Sequence, residues 1–578
     1  MSGKDKFKEH IEQVSHGRKI TRILLLYGPT IDYDNYDIAA RKKSKDINYP
    51  PIGLAYLGGV LRQEISDIEL KIVDLHHESI KKMFLTNQKR DVLETCTEEI
   101  LRDFEPDLVG ISVVFSSAID NGLEIARITK EFNKDIIVAL GGVHCTFEFE
   151  SILKNNSVDV VFLHEADITF AKYIKCLNNE SNDRSMYGIA FRNKKDEVVK
   201  IPYESYPDFE SLPLPAWDLL EIPEYYKYSQ MSGVKNIMDV DAPTGTIQTQ
   251  RGCKASCAFC SVRNFNGKSI RARSPENAIK EIDVLYNKFG IRYIDFVDDD
   301  FTFDRDRAID ICNKIIKRNY NLVWTLDNGI RLVTLSEELI EKLLEAGCRL
   351  ISVGIESGNK DILKRIRKPL TLKILYEKVE LLHRYPELYV KANFIVGFPF
   401  ESDEQIDDTF RVAREVALDQ TAISIYNPLV GTDALSYSES SEKMDVEFRN
   451  ISFGNSQFER FNNKEFVDRV YFENLRLNFT ENPNYEGRNF RRALNDFLRI
   501  LRENCPDHAV AKYCVSEIYK SLGDRKRHKL YLDQFNDVIR TSEKWRSYCE
   551  RLGIPNGSSN VNERKELILG EGLSNKPL

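Results

Sequence analysis

The sequence has little of what marks membrane, secreted or nucleic-acid-binding proteins. Its 578 residues contain no apolar run near the ~18 residues that a membrane span requires, and the polar N-terminus lacks the apolar core of a secretion signal. The 11 cysteines are an odd number without a secretory leader, so a disulfide framework is not expected. The formal charge is −8, from 82 basic and 90 acidic residues in mixed order, so the protein has no positive electrostatic field that would attract nucleic acid. We expect a cytoplasmic protein with reduced thiols.

The composition indicates several globular domains of the α/β class. Hydrophobic residues make up 42% of the chain and charged residues 30%, which is enough apolar material for several cores. At roughly 150 residues per domain, the length suggests three or four domains. Residues 1–19 are interpreted as an N-terminal extension, because the first apolar run begins after them.

Residues 20–184 alternate short apolar runs with amphipathic helical patterns, which predicts a parallel sheet with helices on both faces, a Rossmann-like domain. Ligands bind such sheets beyond the carboxyl ends of the strands. Three segments lie in that position, and they begin at Tyr27, at Phe115 and at Gly141. Residues 185–244 carry several prolines and no sustained period, so they are interpreted as a linker.

The β-then-α rhythm resumes over residues 245–440 with six units, which predicts a (β/α)6 partial TIM barrel. Beyond it the strand pattern stops, and residues 441–556 predict a helical C-terminal domain that includes a piece resembling a tetratricopeptide helix pair. Such helices would contact a protein or close over a substrate. Residues 557–578 are predicted to be a disordered tail.

Three cysteines follow the first barrel strand in a C-x3-C-x2-C spacing: Cys253, Cys257 and Cys260. A structural zinc site would need a fourth ligand, and none lies nearby in the sequence. Three soft thiolates without a fourth fit a [4Fe–4S] cluster in which one iron keeps an exchangeable position. The triplet therefore predicts an iron–sulfur site, with zinc as the alternative.

The triplet, with the aromatic Phe259 before its last cysteine, resembles the radical S-adenosylmethionine (SAM) superfamily over about residues 245–435. The resemblance implies that the open iron chelates SAM and that the cluster cleaves it to a 5′-deoxyadenosyl radical. The resemblance also implies a SAM contact at Phe259. Motifs at the ends of later strands imply further SAM contacts, at Asp298, Asp299, Glu356, Gly397 and Pro399. No residue is assigned as a general acid or base, because radical chemistry requires none.

The N-terminal domain resembles the cobalamin-binding domain that precedes the barrel in one large subfamily of these enzymes. The resemblance implies cobalamin contacts at Gly28, Ser116, Ser117, Gly141, Gly142, His144 and Glu165. The D-x-H-x-x-G signature of histidine-on cobalamin proteins is absent, and the similar segment Asp74–Ser79 follows the second strand rather than the first. The resemblance therefore implies cobalt without a histidine on its lower face.

Together the two resemblances imply a methyltransferase that acts on an unactivated sp3 carbon, using a [4Fe–4S] cluster, SAM and cobalamin. The alternatives are a cobalamin-dependent cyclisation, rearrangement or oxidation, a methylthiotransferase, and a non-enzymatic iron–sulfur sensor. An electron donor such as flavodoxin or ferredoxin is implied. The substrate class, a small molecule, a lipid or a peptide, is left open.

Overall fold

The computed structural model describes residues 3–180, 186–230, 243–434 and 458–555. The chain divides into two units, Met1–Tyr471 and Phe472–Leu578. Among the described residues, no helix combines the length and the hydropathy that crossing a membrane requires. The tail predicted to be disordered, residues 557–578, lies outside the described residues.

The N-terminal part of the first unit is a seven-stranded sheet in the order β2-β1-β3-β4-β5-β6-β7. Its strands are β1 (Arg22–Tyr27), β2 (Glu69–Asp74), β3 (Leu108–Ser112), β4 (Ile137–Gly141), β5 (Val160–Phe162), β6 (Ile189–Arg192) and β7 (Val198–Ile201). The pairs among β1 to β5 are parallel. Central strands such as β1 and β3 are apolar along nearly their whole length, because helices cover both faces of the sheet.

The helices of this part alternate with the strands. They are Gly3–Ser15, Ile38–Ser44, Ile52–Glu64, Leu75–Thr86, Val92–Phe104, Ile119–Phe132, Val143–Ile152, Asp167–Leu177 and Ile222–Tyr228. The predicted Rossmann-like fold is thus confirmed. Asp74, in the segment that imitates the cobalamin signature, caps the helix Leu75–Thr86 and accepts from the His77 N–H at 3.1 Å.

The antiparallel hairpin β6–β7 differs from the sequence prediction, which placed residues 185–244 in a linker. The hairpin continues the N-terminal sheet past residue 184, with β6 paired to β5. The two strands have four residues each, too few for a clear alternation of apolar and polar side chains. The domain boundaries otherwise stay predictions.

The second part of the first unit is a six-stranded sheet whose strands follow one another in chain order and are all parallel. They are β8 (Thr244–Ile247), β9 (Tyr293–Phe296), β10 (Val323–Ile330), β11 (Cys348–Glu356), β12 (Tyr389–Val396) and β13 (Gln420–Ile425). The helices between them are Val262–Asn266, Pro275–Lys288, Arg305–Arg318, Glu337–Glu345, Lys360–Arg365, Leu372–His383 and Asp403–Val416. This is the predicted partial barrel, and it places the carboxyl ends of all six strands at one rim.

The second unit is helical. After Lys464–Leu475, which begins in the first unit, its α-helices are Pro483–Glu486, Phe490–Arg499, Ala509–Ser521, Arg525–Thr541 and Glu543–Arg551. Its core is formed by buried residues that include Phe497, Val515 and Phe535. The predicted helical character of this region is thus present in its described residues, 458–555.

Candidate functional site

The three cysteines lie on one loop at the rim of the barrel. A short antiparallel bridge, Gln250–Arg251 with Arg271–Ala272, closes the base of the segment that carries them, and the helix Val262–Asn266 follows the last cysteine. Gly252 has φ +89°, and a Cβ there would collide with the carbonyl oxygen of Ser269. Only glycine fits this turn, which directs the chain into Cys253.

The thiols of the loop are half-buried, and burial governs their protonation. Burial raises the pKa of Cys253 to about 11 and that of Cys260 to about 12, and it raises the pKa of Cys257 as well. These thiols therefore ionise when a metal takes up the thiolate charge. Among the described residues, no three His, Cys, Asp or Glu side chains converge on a single-ion site. The fit to a cluster rests on the donor set and on the shared loop.

Three consecutive acids follow β9 and have different partners. Asp298 accepts from the Thr249 and Gln250 N–H groups, and Asp299 accepts from the Gly252 N–H at 2.7 Å. The carboxylates of Asp298 and Asp299, two of the predicted SAM contacts, thus bind backbone N–H groups and hold the start of the cysteine loop to the barrel. The acid that faces the thiols is Asp300, whose Oδ2 lies 3.7 Å from the Cys253 sulfur.

Asp300 is the acid best placed for a ligand. Its Oδ2 accepts from Arg331 Nε at 2.7 Å, while its buried Oδ1 has no hydrogen-bond partner among the residues that the structure describes. An unpaired buried carboxylate oxygen costs about 1–3 kcal/mol unless a bound group satisfies it. SAM carries an amino group of the right charge, so this orphaned atom fits the expected ligand.

Glu356 lies at the end of β11, at the rim beside the cysteine loop. It has φ +70°, and its carboxylate accepts from Lys368 Nζ at 2.8 Å. Burial opposes the charge on Lys368, but Glu356 and the nearby Cys257 and Cys260 together raise the lysine pKa. The sequence analysis predicted Glu356 as a SAM contact and did not identify Lys368.

The segment after β12 forms a tight turn at the same rim. Gly397 has φ +85°, and its N–H donates to Glu401 Oε2 at 2.6 Å. The Phe398 ring lies 6.4 Å, centroid to centroid, from the Phe259 ring of the cysteine loop. The turn thus brings Gly397 and the half-buried Pro399 to the rim where the sequence analysis expected them.

The buried Glu401 predicts a pH dependence of stability. Burial raises its pKa from an ordinary 4.5 to about 7, so the folded state retains a proton that the unfolded state releases between those pH values. The protein is therefore most stable below about pH 4.5, and its free energy of unfolding falls by roughly 3 kcal/mol as the pH rises to about 7. We expect Glu401→Gln to remove this loss, as measured by urea unfolding across the pH range. The exposed Glu387→Gln is the control, and parallel pH profiles for wild type and Glu401→Gln would contradict the assignment.

A cavity of about 380 Å³ lies where the carboxyl ends of the N-terminal strands face the barrel. On the N-terminal side it is lined by the start of the helix Ile52–Glu64 and by the ends of β3, β4 and β5. On the barrel side its wall includes Gln248, Arg251 and Asp299. Four residues within six positions after the last cysteine complete this wall: Ser261, Val262, Phe265 and Asn266. The cysteine loop and the cavity thus share one segment of chain.

Three of the seven predicted cobalamin contacts line this cavity: Gly141, Gly142 and Glu165. The other four, Gly28, Ser116, Ser117 and His144, are not in its lining. His144 is buried, and its Nδ1 lies 2.9 Å from the Ser116 hydroxyl, so the pair joins two loops. The Gly28 N–H donates to the Ser112 carbonyl at 3.0 Å. These four contacts remain predictions, and the observed bonds give Gly28, Ser116 and His144 a role in shaping the loops around the site.

Gly142 is a position that requires glycine. It has φ +115°, and a Cβ would collide with the carbonyl oxygen of Val113. We expect Gly142→Ala to lower the free energy of unfolding by about 3 kcal/mol, measured by urea denaturation. Gly53 also lines the cavity, but no atom lies within 4 Å of the place that a Cβ would take there. Gly53→Ala is therefore the control, expected to change stability by less than about 0.5 kcal/mol, and equal effects would refute the steric argument.

Glu165 belongs to a buried ion network between the N-terminal sheet and the barrel. Arg251 Nη1 lies 2.8 Å from Glu165 Oε2 and 2.8 Å from Asp167 Oδ2, and Arg271 Nη1 lies 2.8 Å from the same Glu165 oxygen. The Arg251 guanidinium also lies 4.5 Å above the Phe209 ring. Because Arg251 precedes Gly252 and Cys253, this network joins the cavity to the cysteine loop.

The sequence analysis missed the basic residues of the site. Arg251, Arg271 and Lys368 have no spacing signal of their own, and their importance comes from burial beside carboxylates. The one clue was position, since Arg251 lies two residues before the first cysteine. Asp300 was visible within the acidic run, but the sequence could not show which of its carboxylates faces the thiols.

Two family models match this chain. The radical SAM superfamily model matches residues 247–413, which cover most of the barrel, and the B12 binding domain model matches residues 46–174. The matched segments contain the cysteine loop and most of the residues that line the cavity on the N-terminal side.

Curated relatives cover most of the chain. An uncharacterized methyltransferase from Pyrococcus horikoshii is 29% identical over 73% of this chain and 83% of its own. A cytidylyl-2-hydroxyethylphosphonate methyltransferase from Streptomyces wedmorensis is 27% identical, over 67% and 77%. An anaerobic magnesium-protoporphyrin IX monomethyl ester cyclase from Rubrivivax gelatinosus is 26% identical, over 70% and 69%.

A solved structure supports the fold across nearly the whole chain. The cobalamin-dependent SAM radical enzyme OxsB, with aqua-cobalamin and SAM bound, superposes with a TM-score of 0.60 at 17% identity, covering 96% of this chain and 84% of its own. The two family models name two of the predicted cofactors, SAM and cobalamin. The chain is therefore an enzyme that carries a radical SAM domain with a B12 binding domain ahead of it.

Proposed function

We propose that the protein transfers a methyl group from SAM to an unactivated sp3 carbon of its substrate. When bound, the cluster and SAM supply a radical that abstracts hydrogen, and cobalamin supplies the methyl group. Similarity to two methyltransferases over two thirds or more of the chain supports this reaction. The observation that carries the proposal is the shared segment, since Ser261, Val262, Phe265 and Asn266, which lie within six residues after Cys260, line the cavity.

In this proposal each group of residues has a defined task. Cys253, Cys257 and Cys260 would hold the cluster, and Asp300, Glu356 and Lys368 would bind the polar groups of SAM. Gly397 and Pro399 would lie against its nucleoside. In the cavity, Gly141 and Gly142 would allow the backbone to approach the corrin, since neither has a side chain. Gly142 is also required by its own loop, because a side chain there would collide with Val113.

The chain's own residues favour this placement of SAM. The Asp300 carboxylate offers an unpaired oxygen to an ammonium group, and Lys368 offers a cation beside the thiols. The Glu356 carboxylate can accept hydrogen bonds from two ribose hydroxyls of SAM while one of its oxygens also accepts from Lys368. Arg331 Nε donates to Oδ2, the other oxygen of the Asp300 carboxylate, and so holds this carboxylate in place.

The test is a labelling experiment under anaerobic conditions. The reconstituted protein, with hydroxocobalamin, a reductant and methyl-labelled SAM, is incubated with candidate substrates. Methylation gives S-adenosylhomocysteine together with 5′-deoxyadenosine, and the label enters the product. Turnover with 5′-deoxyadenosine and an unlabelled product would overturn methyl transfer.

The second candidate is a cobalamin-dependent cyclisation, rearrangement or oxidation. The similarity to the magnesium-protoporphyrin IX monomethyl ester cyclase favours it as the alternative. It shares every cofactor with methylation, so only the fate of the label separates the two. An electron donor such as flavodoxin or ferredoxin, a small-molecule substrate and a cytoplasmic location complete the proposal.

A further inference from the structure

His164 follows β5 and reaches the cysteine segment directly. It lines the cavity, and its Nδ1 lies 2.9 Å from the carbonyl oxygen of Phe265. Tyr206 donates its hydroxyl to the same carbonyl at 2.8 Å. Phe265 lies in the helix Val262–Asn266, five residues after Cys260. Two side chains from outside the barrel thus hold the helix that follows the cysteines.

The hydrogen bond fixes the protonation state of the histidine. A carbonyl oxygen only accepts, and the Tyr206 hydroxyl, 3.2 Å from Nδ1, donates its own proton to the same carbonyl, so Nδ1 carries a proton and donates to Phe265. Burial lowers the pKa of His164, which favours the neutral ring. In that form Nε2 is an acceptor, and no described residue donates to it. The ring therefore holds the helix through one nitrogen and leaves the other free for a donor in the cavity.

Hydrogen bonds also connect this helix to the segment that carries the first cysteine. Asn266 Nδ2 donates to Asp299 Oδ2 at 2.7 Å, and that oxygen also accepts from the Gly252 N–H at 2.7 Å. Arg271 donates to the Asn266 carbonyl at 3.0 Å. A displacement of Phe265 would therefore move both ends of the cysteine loop. It would move Cys260 through the chain itself and Cys253 through the hydrogen bonds of Asp299.

We propose that His164 is a positioning residue that couples cobalamin in the cavity to the cysteine loop. Its Nε2 accepts a hydrogen bond from a peripheral amide of the corrin, while its Nδ1–H holds Phe265. Each cofactor then strengthens the binding of the other, because both require one conformation of the Ser261–Asn266 wall. This inference rests on the proposed cobalamin site and adds an energetic link to it.

The test measures the link without turnover. Full-length protein is prepared with and without its reconstituted cluster, and the Kd of hydroxocobalamin is measured for both by equilibrium dialysis under anaerobic conditions. We expect cobalamin to bind at least about fivefold more tightly to the cluster-loaded form. Cobalamin should also slow the bleaching of the cluster by an iron chelator.

Three variants assign the coupling to His164. His164→Phe keeps an aromatic ring but loses both nitrogens. The ratio of the hydroxocobalamin Kd of cluster-free protein to that of cluster-loaded protein should therefore fall to near one. His164→Asn keeps a donor toward Phe265 and tolerates the positive φ of +58°, so part of the coupling should return. Tyr206→Phe removes the second bond to Phe265 and should reduce the coupling. Tyr320→Phe, which loses a hydroxyl bonded to Asp283 at 2.6 Å on the outer helices, is the matched control.

The outcomes separate this inference from the proposed function. If cobalamin binds with the same Kd to cluster-loaded and cluster-free protein, the coupling is wrong and the cobalamin site stands. If His164→Phe and Tyr206→Phe both keep the full coupling, the assignment to His164 is wrong. If hydroxocobalamin binds to neither form, the proposed function fails and this inference fails with it.

Discussion

Cys257→Ala is expected to abolish the iron–sulfur cluster and SAM cleavage together. The three thiolates act as one unit, and the loop offers no replacement donor at that position. We expect 5′-deoxyadenosine formation to fall by at least about 1,000-fold, equivalent to about 4 kcal/mol of transition-state stabilisation. Iron and sulfide analysis after anaerobic reconstitution checks the cluster, and chromatography of the nucleoside products checks the cleavage.

Cys505→Ala is the matched control for this variant. Cys505 is a half-buried free thiol like the three of the loop, but it lies in the helical second unit. It should retain its cluster and its activity. A Cys257→Ala protein that binds a full complement of iron and sulfide and still cleaves SAM would contradict the assignment of the triplet.

Arg251→Met is expected to destabilise the fold by about 3 kcal/mol, because it leaves a buried carboxylate without its counter-charge. The exposed fractions of the side chains are 7% for Arg251, 4% for Glu165 and 7% for Asp167. Arg271 still pairs with Glu165 in the variant, so the uncompensated charge falls mainly on Asp167. Thermal and urea denaturation of wild type and variant measure the effect.

Arg62→Met is the control for the loss of an arginine from an ion pair. Arg62 pairs with Asp218 at 2.8 Å, but the side chains are 43% and 62% exposed. Such a pair contributes at most about 1 kcal/mol, so the control should unfold close to wild type. Equal destabilisation by the two substitutions would show that burial of the Arg251 network carries no special energetic weight.

Much of the fold could be predicted from the sequence because its strands are short, apolar and separated by amphipathic helices. The predicted six barrel units correspond to six parallel strands, and the predicted parallel N-terminal sheet has five parallel strands. The hairpin β6–β7 could not be predicted, since its strands are short and lie in a segment with several prolines. Its pairing with β5 is a tertiary contact that leaves no local period.

The site was predictable where chemistry fixes the spacing and unpredictable where burial decides. The cysteine triplet and the glycines near residue 142 carry their own signals, because a cluster needs thiolates and a tight approach needs glycine. Which of the three acids after β9 faces the thiols depends on how Asp298 and Asp299 bind backbone N–H groups, and no sequence pattern encodes that. Lys368 lies 12 residues after Glu356 and meets it only in the folded barrel.

The central claim is that three thiolates leave one iron of a cubane open to SAM. Anaerobic EPR of the reduced, reconstituted protein, recorded with and without SAM and paired with metal analysis, tests it most directly. The account predicts about four iron atoms and four sulfides per chain and a cluster signal that shifts when SAM binds. Bound zinc, or a cluster signal that SAM leaves unchanged, would contradict it.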